Sequence, residues 1–431
     1  ELVSAILAGA PRITVLVTSR VRLDLQAEWL YDVEGLSYPA PSQATTAQSR
    51  SLADLAGYSA VQLFVQRTSQ VQPRLVFAAA ALDVVVRICQ RLAGMPLAIE
   101  LAAASARTLS LDEIEQRIYL RLGALETSLR DVATRHRSLR AVFEHSWALL
   151  SKADGTLFSR LAIFRGGCTP AAAEQLTGAT LPALEGLVDK SLLRRASSRG
   201  SQAAQDATAE LRFMQLEPLR EFALEQLEAL GERDALQQAH ADYYLTLADA
   251  AMARWDGPDV QMAITQLERE LNNIRAALQW ARDSGQSTVG LQLAGVLWRF
   301  WRSAGYTTEG RAWLEELLAV DSPATDGAAT SARLLAMHAA AWLASDQHDY
   351  ARATQLFEQT TALRRALGEG EGETHMLLNQ ALHERAVGQY RRATAILEDT
   401  LARHRAMSAG GLGRSLYELG FSLYMLALVL R

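Results

Sequence analysis

Asp349-Tyr350-Ala351-Arg352-Ala353-Thr354-Gln355-Leu356-Phe357 recurs as Gln389-Tyr390-Arg391-Arg392-Ala393-Thr394-Ala395-Ile396-Leu397, so that Tyr350 and Tyr390 stand 40 residues apart. An older echo, Gly305-Tyr306 followed by Trp313, places Tyr306 another 44 residues before Tyr350. Self-similarity at such a period marks stacked structural repeats. The small Ala353 and Ala393 let two helices approach closely, and the tyrosines with Phe357 or Leu397 are expected to fill the gap between neighbouring hairpins. Each hairpin then buries its apolar face only against the next, which predicts a helical solenoid.

Toward the N-terminus the pattern stays helical as far as His240. Ile264, Leu267, Leu271, Ile274 and Leu278 form one apolar stripe at helical spacing. Before it, 219–230 reads as a long helix stopped by Gly231, a C-cap glycine. Residues 191–195 and 211–215 read as two short strands around a Ser-, Ala- and Gln-rich loop. Four short helices precede them (139–150, 156–163, 170–176 and 181–190), and helices followed by a hairpin make a winged helix the simplest architecture. A charged stretch, 130–137, marks a boundary.

Between residues 44 and 122 more helices are expected. Val61, Phe64 and Val65 share one face, Val84, Ile88, Leu92, Leu97 and Leu101 follow on others, and Ser110 with Glu113 makes a capping box before 111–118. At the start, a short helix broken by Gly9 and Pro11 leads into Ile13-Thr14-Val15-Leu16-Val17. That β-branched run is expected as a strand buried on both faces. Thr18-Ser19-Arg20 follow at its carboxyl end, where open α/β sheets bind ligands.

The composition narrows the function classes. Hydrophobic residues make up 49% and charged residues 21% of the chain, which suits folded domains and not a disordered one. The formal net charge of −5 gives no global field favouring nucleic acid. Cys89 and Cys168, each in or beside an apolar helical stretch, are expected as small buried hydrophobes in a reducing, cytoplasmic setting. No secretory signal is expected from the first residues. The apolar runs 75–81 and 423–430 fall short of the roughly 20 residues that span a membrane. Residue 1 is Glu and Arg431 falls inside an amphipathic pattern (Leu416, Leu419, Leu423, Leu426, Leu430), so sequence is expected to continue on both sides.

Six segments together carry a resemblance: 14–22 (TVLVTSRVR), 28–36 (EWLYDVEGL), 92–104 (LAGMPLAIELAAA), 212–230 (RFMQLEPLREFALEQLEAL), 238–247 (QAHADYYLTL) and 267–281 (LERELNNIRAALQWA). In this order they resemble the bacterial branch of the NB-ARC-related STAND signal-transduction ATPases. That branch includes the ATPase–TPR cores of LuxR-type and antibiotic-regulator-type transcription activators. The resemblance implies a mainly α chain in four parts: a remnant of a P-loop α/β ATPase core (1–42), a helical lid (43–130), a winged helix (131–232) and a TPR-like α-solenoid (233–431). It implies a nucleotide-dependent switch whose repeats bind an inducer or a protein partner. Self-assembly in the ATP state and DNA contact through an output domain outside this chain are also implied.

By the same resemblance Arg20 matches a sensor arginine that reads the γ-phosphate, a task its fork geometry suits, and Thr18 and Ser19 orient it or touch phosphate. Gly94, Pro96 and Leu97 match a turn beside the adenine ring; read by itself, the same turn is a break between two helices with Leu97 in the core. Gln215-Leu216-Glu217 stands where relatives carry a Met-His-Asp switch, so the histidine contact is lost. The phosphate-binding Gly-x-x-x-x-Gly-Lys-Ser/Thr segment and the acidic Walker B strand are absent. ATP or ADP with Mg²⁺ is therefore expected on a longer parent protein, with no tight binding or hydrolysis by these 431 residues.

Other patterns have blander readings. His383-Glu384 lacks the second histidine of a zinc helix, and Gly368, Gly370 and Gly372 are expected in a loop between helices. Trp298, Phe300, Trp301 and Trp313 fit repeat core better than a ligand groove. Two rival functions remain: a repeat scaffold with a vestigial ATPase, and a DNA-binding winged helix. Glu185 and Asp189 beside the lone Lys190 on the candidate recognition helix disfavour the second.

Overall fold

The computed structural model describes residues 2–10, 12–19, 23, 25, 26, 28, 29, 31, 33–39, 54–120, 139–195, 211–320 and 327–408. The described residues are mainly helical, and the chain divides into two compact units, Glu1–Leu236 and Gln237–Arg431.

The first unit opens with α1 (Leu2–Gly9). Residues 13–19, expected as a strand, have no regular structure, and Leu16 is 93% exposed. A strand is held by ladder hydrogen bonds to a neighbour. Among the described residues the only pairing lies elsewhere in the unit, so the β-branched run has nothing to pair with.

Four helices follow: α2 (Ser59–Val71), α3 (Ala79–Arg91), α4 (Pro96–Ser105) and α5 (Leu111–Leu120). α2 packs on α3 and α4, and α3 packs on α5. Their shared core holds Val61, Phe64, Val85, Ile88, Ile99, Leu101, Ile114 and Ile118. Each such large side chain contributes about 1.5–3 kcal/mol on burial. The capping box forms as expected: Ser110 N donates to Glu113 Oε2 (2.8 Å), and Glu113 N donates back to Ser110 Oγ (3.3 Å). Cys89 is fully buried in α3, and burial pushes its thiol up to about 12.

The rest of this unit comprises α6 (Leu139–Trp147), α7 (Lys152–Arg160) running on as a 3₁₀ turn (Leu161–Ile163), α8 (Pro170–Thr177), α9 (Leu181–Asp189) and α10 (Glu217–Ala229). Between α9 and α10, β1 (Arg194–Arg195) pairs antiparallel with β2 (Phe213–Met214). The hairpin is shorter than expected, because Ser191 sits at φ +58 in the left-handed region and turns the chain first. Cys168 bridges to Phe213 and stands just before Thr169, the N-cap of α8, so it is buried beside a helix as expected. Trp147 holds the helices together, with ring centroids 5.9 Å from Phe222 and 6.1 Å from Phe158. Ser151 and Thr169 cap α7 and α8 by accepting from Asp154 N and Ala172 N.

The second unit contains α11 (Arg233–Met252), α12 (Val260–Asp283), α13 (Ser287–Val296), α14 (Trp298–Ser303), α15 (Thr307–Ala319), α16 (Gly327–Asp346), α17 (Tyr350–Ala366), α18 (Gly370–Ala386) and α19 (Tyr390–Ser408). No described helix is long and apolar enough to cross a membrane. Each helix from α15 to α19 packs on the next, and α13 lies along α16, which is the solenoid arrangement. Leu267, Leu271, Ile274 and Leu278 of the α12 stripe are buried.

Ala353, Ala393, Phe357 and Leu397 are all buried to within 1%, as the repeat predicts. Two of the tyrosines fill less of the gap than expected: Tyr350 is 39% and Tyr390 56% exposed, because they are the first residues of α17 and α19, although the Tyr350 ring still meets His383 of α18 at 6.0 Å. Gly370 and Gly372 are in the first turn of α18 and not in a loop. Arginine–glutamate pairs also recur at one spacing, 34 residues: Arg275–Glu309, Arg282–Glu316 and Glu358–Arg392.

Between α11 and α12 lies a buried polar quartet. Tyr244 Oη donates to Glu270 Oε2 (3.0 Å), and Asn273 Nδ2 donates to the same oxygen (2.8 Å). The His240 ring packs 4.7 Å from that of Tyr244. Burial pushes the His240 imidazole down to about 4, against a smaller upward pull from its hydrogen bond to Asn273.

Two outcomes follow for stability. Ala353→Leu overpacks the α17 contact and costs about 1–3 kcal/mol, whereas Tyr390→Ala stays within about 0.5 kcal/mol; urea midpoints measure both. His240 is neutral when folded and protonated when unfolded below about pH 6.5, so its stabilisation is complete above that pH and is lost as pH falls toward 4. Between pH 7 and pH 5 the loss from this one group is about 2 kcal/mol, and His240→Gln flattens that part of the urea-midpoint profile.

Candidate functional site

The turn between α3 and α4 is built by two residues in the left-handed region, Ala93 (φ 51) and Gly94 (φ 66). Its amides close the end of α3: Ala93 N donates to Gln90 O, Gly94 N to Cys89 O and Met95 N to Leu92 O. The turn's outward group is the Gly94 carbonyl, which accepts from Leu36 N (2.8 Å). Leu36 ends the acidic-aromatic run, and a side-chain carbon on Gly94 would overlap the Leu36 carbonyl. Gln90 Nε2 donates to Pro39 O (2.8 Å), and Ser37 and Ser59 exchange hydrogen bonds at 3.0–3.1 Å. Two of the resembling segments, 28–36 and 92–104, are thus locked together by backbone contact.

Pro96 begins α4 and is exposed, and Leu97 is half-buried. Pro costs no hydrogen bond at that position. Thr18 and Ser19 are both exposed. Arg20 lies outside the described residues, as do the 130–137 boundary and the loop of the hairpin.

The sequence did not point to the charged cluster beside this turn. Arg91, the last residue of α3, reaches Glu221 of α10 at 3.8 Å. One turn earlier in α10, Glu217 holds Arg220 (2.8 Å). Burial raises the Glu217 carboxyl, but the hydrogen bond from Arg220 and the charges of Arg220, Arg165 and Arg91 overcome it and hold the group below the usual carboxylate range. Arg220 also donates to Ala162 O (3.1 Å), and Gln215 Nε2 to Phe158 O (2.7 Å). Gln215 and Arg220 thus tie the start of α10 to α7 and its 3₁₀ turn, and Glu217 stands beside three arginines. The spacing Arg91-x-x-Gly94 is the one sequence signal that could have marked Arg91.

On α9, Glu185 pairs with Arg195 (2.9 Å), and Lys190 pairs with Asp154 (2.8 Å). In the second unit Phe300 and Trp301 are fully buried, but Trp298 and Trp313 are half-exposed and so are not closed repeat core. Trp313 lies under the Arg282 guanidinium at 5.4 Å.

No family model matches the chain. A Mycobacterium tuberculosis protein named "Putative HTH-type transcriptional regulator Rv0890c" is 34% identical over 324 residues, 74% of this chain and 33% of that protein. Its Mycobacterium bovis counterpart, "Putative HTH-type transcriptional regulator Mb0914c", matches to the same extent. The Mycobacterium tuberculosis "Uncharacterized protein Rv0894" is 33% identical over 248 residues, 54% of this chain and 55% of that protein. The chain spans about a third of the length of the two regulators. A crystal structure of a STAND protein with a tetratricopeptide repeat sensor from Pyrococcus horikoshii aligns at 13% identity over 86% of this chain and 57% of that one, with a TM-score of 0.29.

The close approach at Gly94 makes a direct test. Gly94→Ala carries both a strained φ and a backbone clash with Leu36 and costs about 2–3 kcal/mol. Gly178→Ala, at φ +73 with nothing within 4 Å, costs about 1 kcal/mol. Urea midpoints separate the two.

Proposed function

We propose that this chain is the regulatory and sensing part of a nucleotide-dependent switch in a transcription regulator. The observation that carries it is Arg91. It joins the turn that the resemblance places at the adenine to the start of α10, where the switch histidine of relatives is replaced. The regulators at 34% identity support a role in transcription control.

Arg20, with Thr18 and Ser19, would read the terminal phosphate, and Gly94, Pro96 and Leu97 would lie beside the base. The rigid turn and the three arginines suit one side of an anionic nucleotide. The turn's amides are spent on α3, so they offer no phosphate cradle. The cradle and the Mg²⁺ ligands would belong to a longer protein, where ATP binding supplies a charge that hydrolysis removes.

Switching needs two states with different affinity for the nucleotide. The α3–α4 turn and α10 form the element to be biased: separating Arg91 from Glu221 would leave Glu217 with fewer cations and so disfavour its charged form. The second unit would bind an inducer or protein partner. A DNA-reading role for α9 is disfavoured, because Lys190 and Arg195 are already paired with acids and α9 itself carries Glu185 and Asp189.

The test uses the full-length protein with its phosphate-binding loop. Arg20→Ala is expected to lower ATP retention after gel filtration by about tenfold or more while ADP retention changes less. Equal retention of both nucleotides, with unchanged turnover and assembly, sinks the sensor assignment.

A further inference from the structure

We propose that Tyr350 is a nucleophile, primed by His348, that takes an acyl group from an activated ester at the turn between α16 and α17. Two residues before the first residue of α13, α15, α17, α18 and α19, the chain turns through the left-handed region, at φ 73, 80, 63, 72 and 80. Glycine makes four of these turns, at Gly285, Gly305, Gly368 and Gly388, and His348 makes the other. Histidine tolerates this region better than most residues, but a side chain there still costs conformational energy that glycine would not. Packing gives no reason for it, because His348 is exposed. What the imidazole gains is Tyr350: His348 Nδ1 and Tyr350 Oη are 2.7 Å apart. Backbone held off its preferred conformation beside such a pair points to function.

The tyrosine is open to solvent and held from behind. It is 39% exposed, and its ring lies 6.0 Å from that of His383. His383 is fully buried and fixed by Ser345 Oγ (2.9 Å) and Thr354 Oγ1 (3.1 Å). The His348 ring meets the Tyr350 ring at 66° and 5.7 Å. With its own proton on Nε2, His348 accepts from Tyr350 Oη at Nδ1 and is placed to take the phenolic proton. A hydroxyl is a weak nucleophile until a neighbouring base removes that proton. Asp346, paired with Arg302 at 2.9 Å, lies close enough for the charge on His348 to act on its carboxylate. It therefore offsets part of the charge that the imidazole gains.

In the step itself Tyr350 Oη attacks the carbonyl carbon of the ester. An O–C bond forms, the bond from that carbon to the leaving oxygen breaks, and the electron pair departs with the leaving oxygen. His348 carries the phenolic proton from Oη to it, so the products are O-acyl-Tyr350 and an alcohol or phenol. The repeat supplies its own comparison. Tyr390 begins α19 as Tyr350 begins α17, and at 56% it is the more exposed of the two. Its turn carries Gly388 in place of the histidine, so that turn supplies no base. Exposure alone ranks Tyr390 ahead; the imidazole ranks Tyr350 ahead.

The test mixes the complete chain with p-nitrophenyl acetate and follows p-nitrophenolate release, intact mass and peptide masses. A stoichiometric burst is expected, with the acetyl group on Tyr350 and labelling there about tenfold or more faster than at Tyr390. His348→Gly is expected to bring Tyr350 down to the Tyr390 rate. Glycine suits the backbone at that position, so this variant keeps its helical circular dichroism and the loss reports the missing base. Tyr350→Phe is expected to remove the burst. Labelling of Tyr390 as fast as Tyr350, a Tyr350 rate unchanged in His348→Gly, or a burst that survives Tyr350→Phe overturns the proposal and leaves the pair as a clasp across the turn. Folded protein that takes no acetyl group at Tyr350 overturns it as well. None of these readouts involves nucleotide, so the tyrosine can fail while the switch stands, and the reverse.

Discussion

Helices in the second unit cross so closely that there is no room for side chains at the crossing points. A carbon added to Gly295 would lie 2.9 Å from Leu335 Cγ and 3.2 Å from the backbone nitrogen of Ala336, and one added to Gly310 would run into the Trp301 ring. Ala353 and Ala393 occupy equivalent tight places further along. Close crossing fixes both the rotation and the register of each helix, because interdigitated side chains permit few alternatives. Once register is fixed, everything on the outside of the helices is placed as well. The arginine–glutamate pairs 34 residues apart follow from it. The ion pairs are a consequence of the stacking and not its cause, since exposed pairs contribute at most about 1 kcal/mol each.

The first unit obeys the same constraint at Gly94 and again at Gly167, where an added carbon would meet the Phe213 carbonyl at 2.7 Å. Gly94 exists because Leu36 needs its carbonyl, and no other residue tolerates both the φ and the contact. That backbone lock determines where α3 ends, and therefore where Arg91 can reach. An arginine at a helix end that touches a carboxylate at 3.8 Å is a loose contact, easily exchanged. A tightly buried pair would hold the turn and α10 together whatever else was bound. Loose contact beside a rigid turn is the combination that the proposed switch element would require.

Much of this was legible in the sequence, and the reason differs from one element to the next. The repeat was readable because Ala353 and Phe357 obey a packing rule that acts locally and recurs. The capping box at Ser110 and the glycine stop at Gly231 were readable because their hydrogen bonds close within a few residues. The strand at 13–17 misled because β-branched residues report only a preference for extended backbone, and a strand exists only if a partner supplies its ladder. Tyr350 and Tyr390 misled for a related reason: a repeated residue need not be a buried one, and these two are the first residues of their helices. The Glu217 cluster was invisible because its arginines come from positions 91, 165 and 220, which only tertiary structure brings together. Trp298 was judged by its spacing, which cannot distinguish a ring closed into the core from one left half-exposed.

Two histidines in the second unit show how structural and functional polar groups can be separated without reference to any relative. His240 is 3% exposed and belongs to a quartet in which Tyr244, Glu270 and Asn273 satisfy one another. Such buried networks specify a packing, and a ring at that depth is out of reach of a ligand. His338 is equally disfavoured as a cation, yet one of its nitrogens is committed to Trp342 while the other is left open at a partly exposed edge. The difference lies in access: a neutral imidazole has one donor and one acceptor, and one that the fold leaves over serves a partner only where the ring edge reaches the surface. On that criterion the α11–α12 quartet is framework, and His338 sits at an edge that a group from outside the fold can reach.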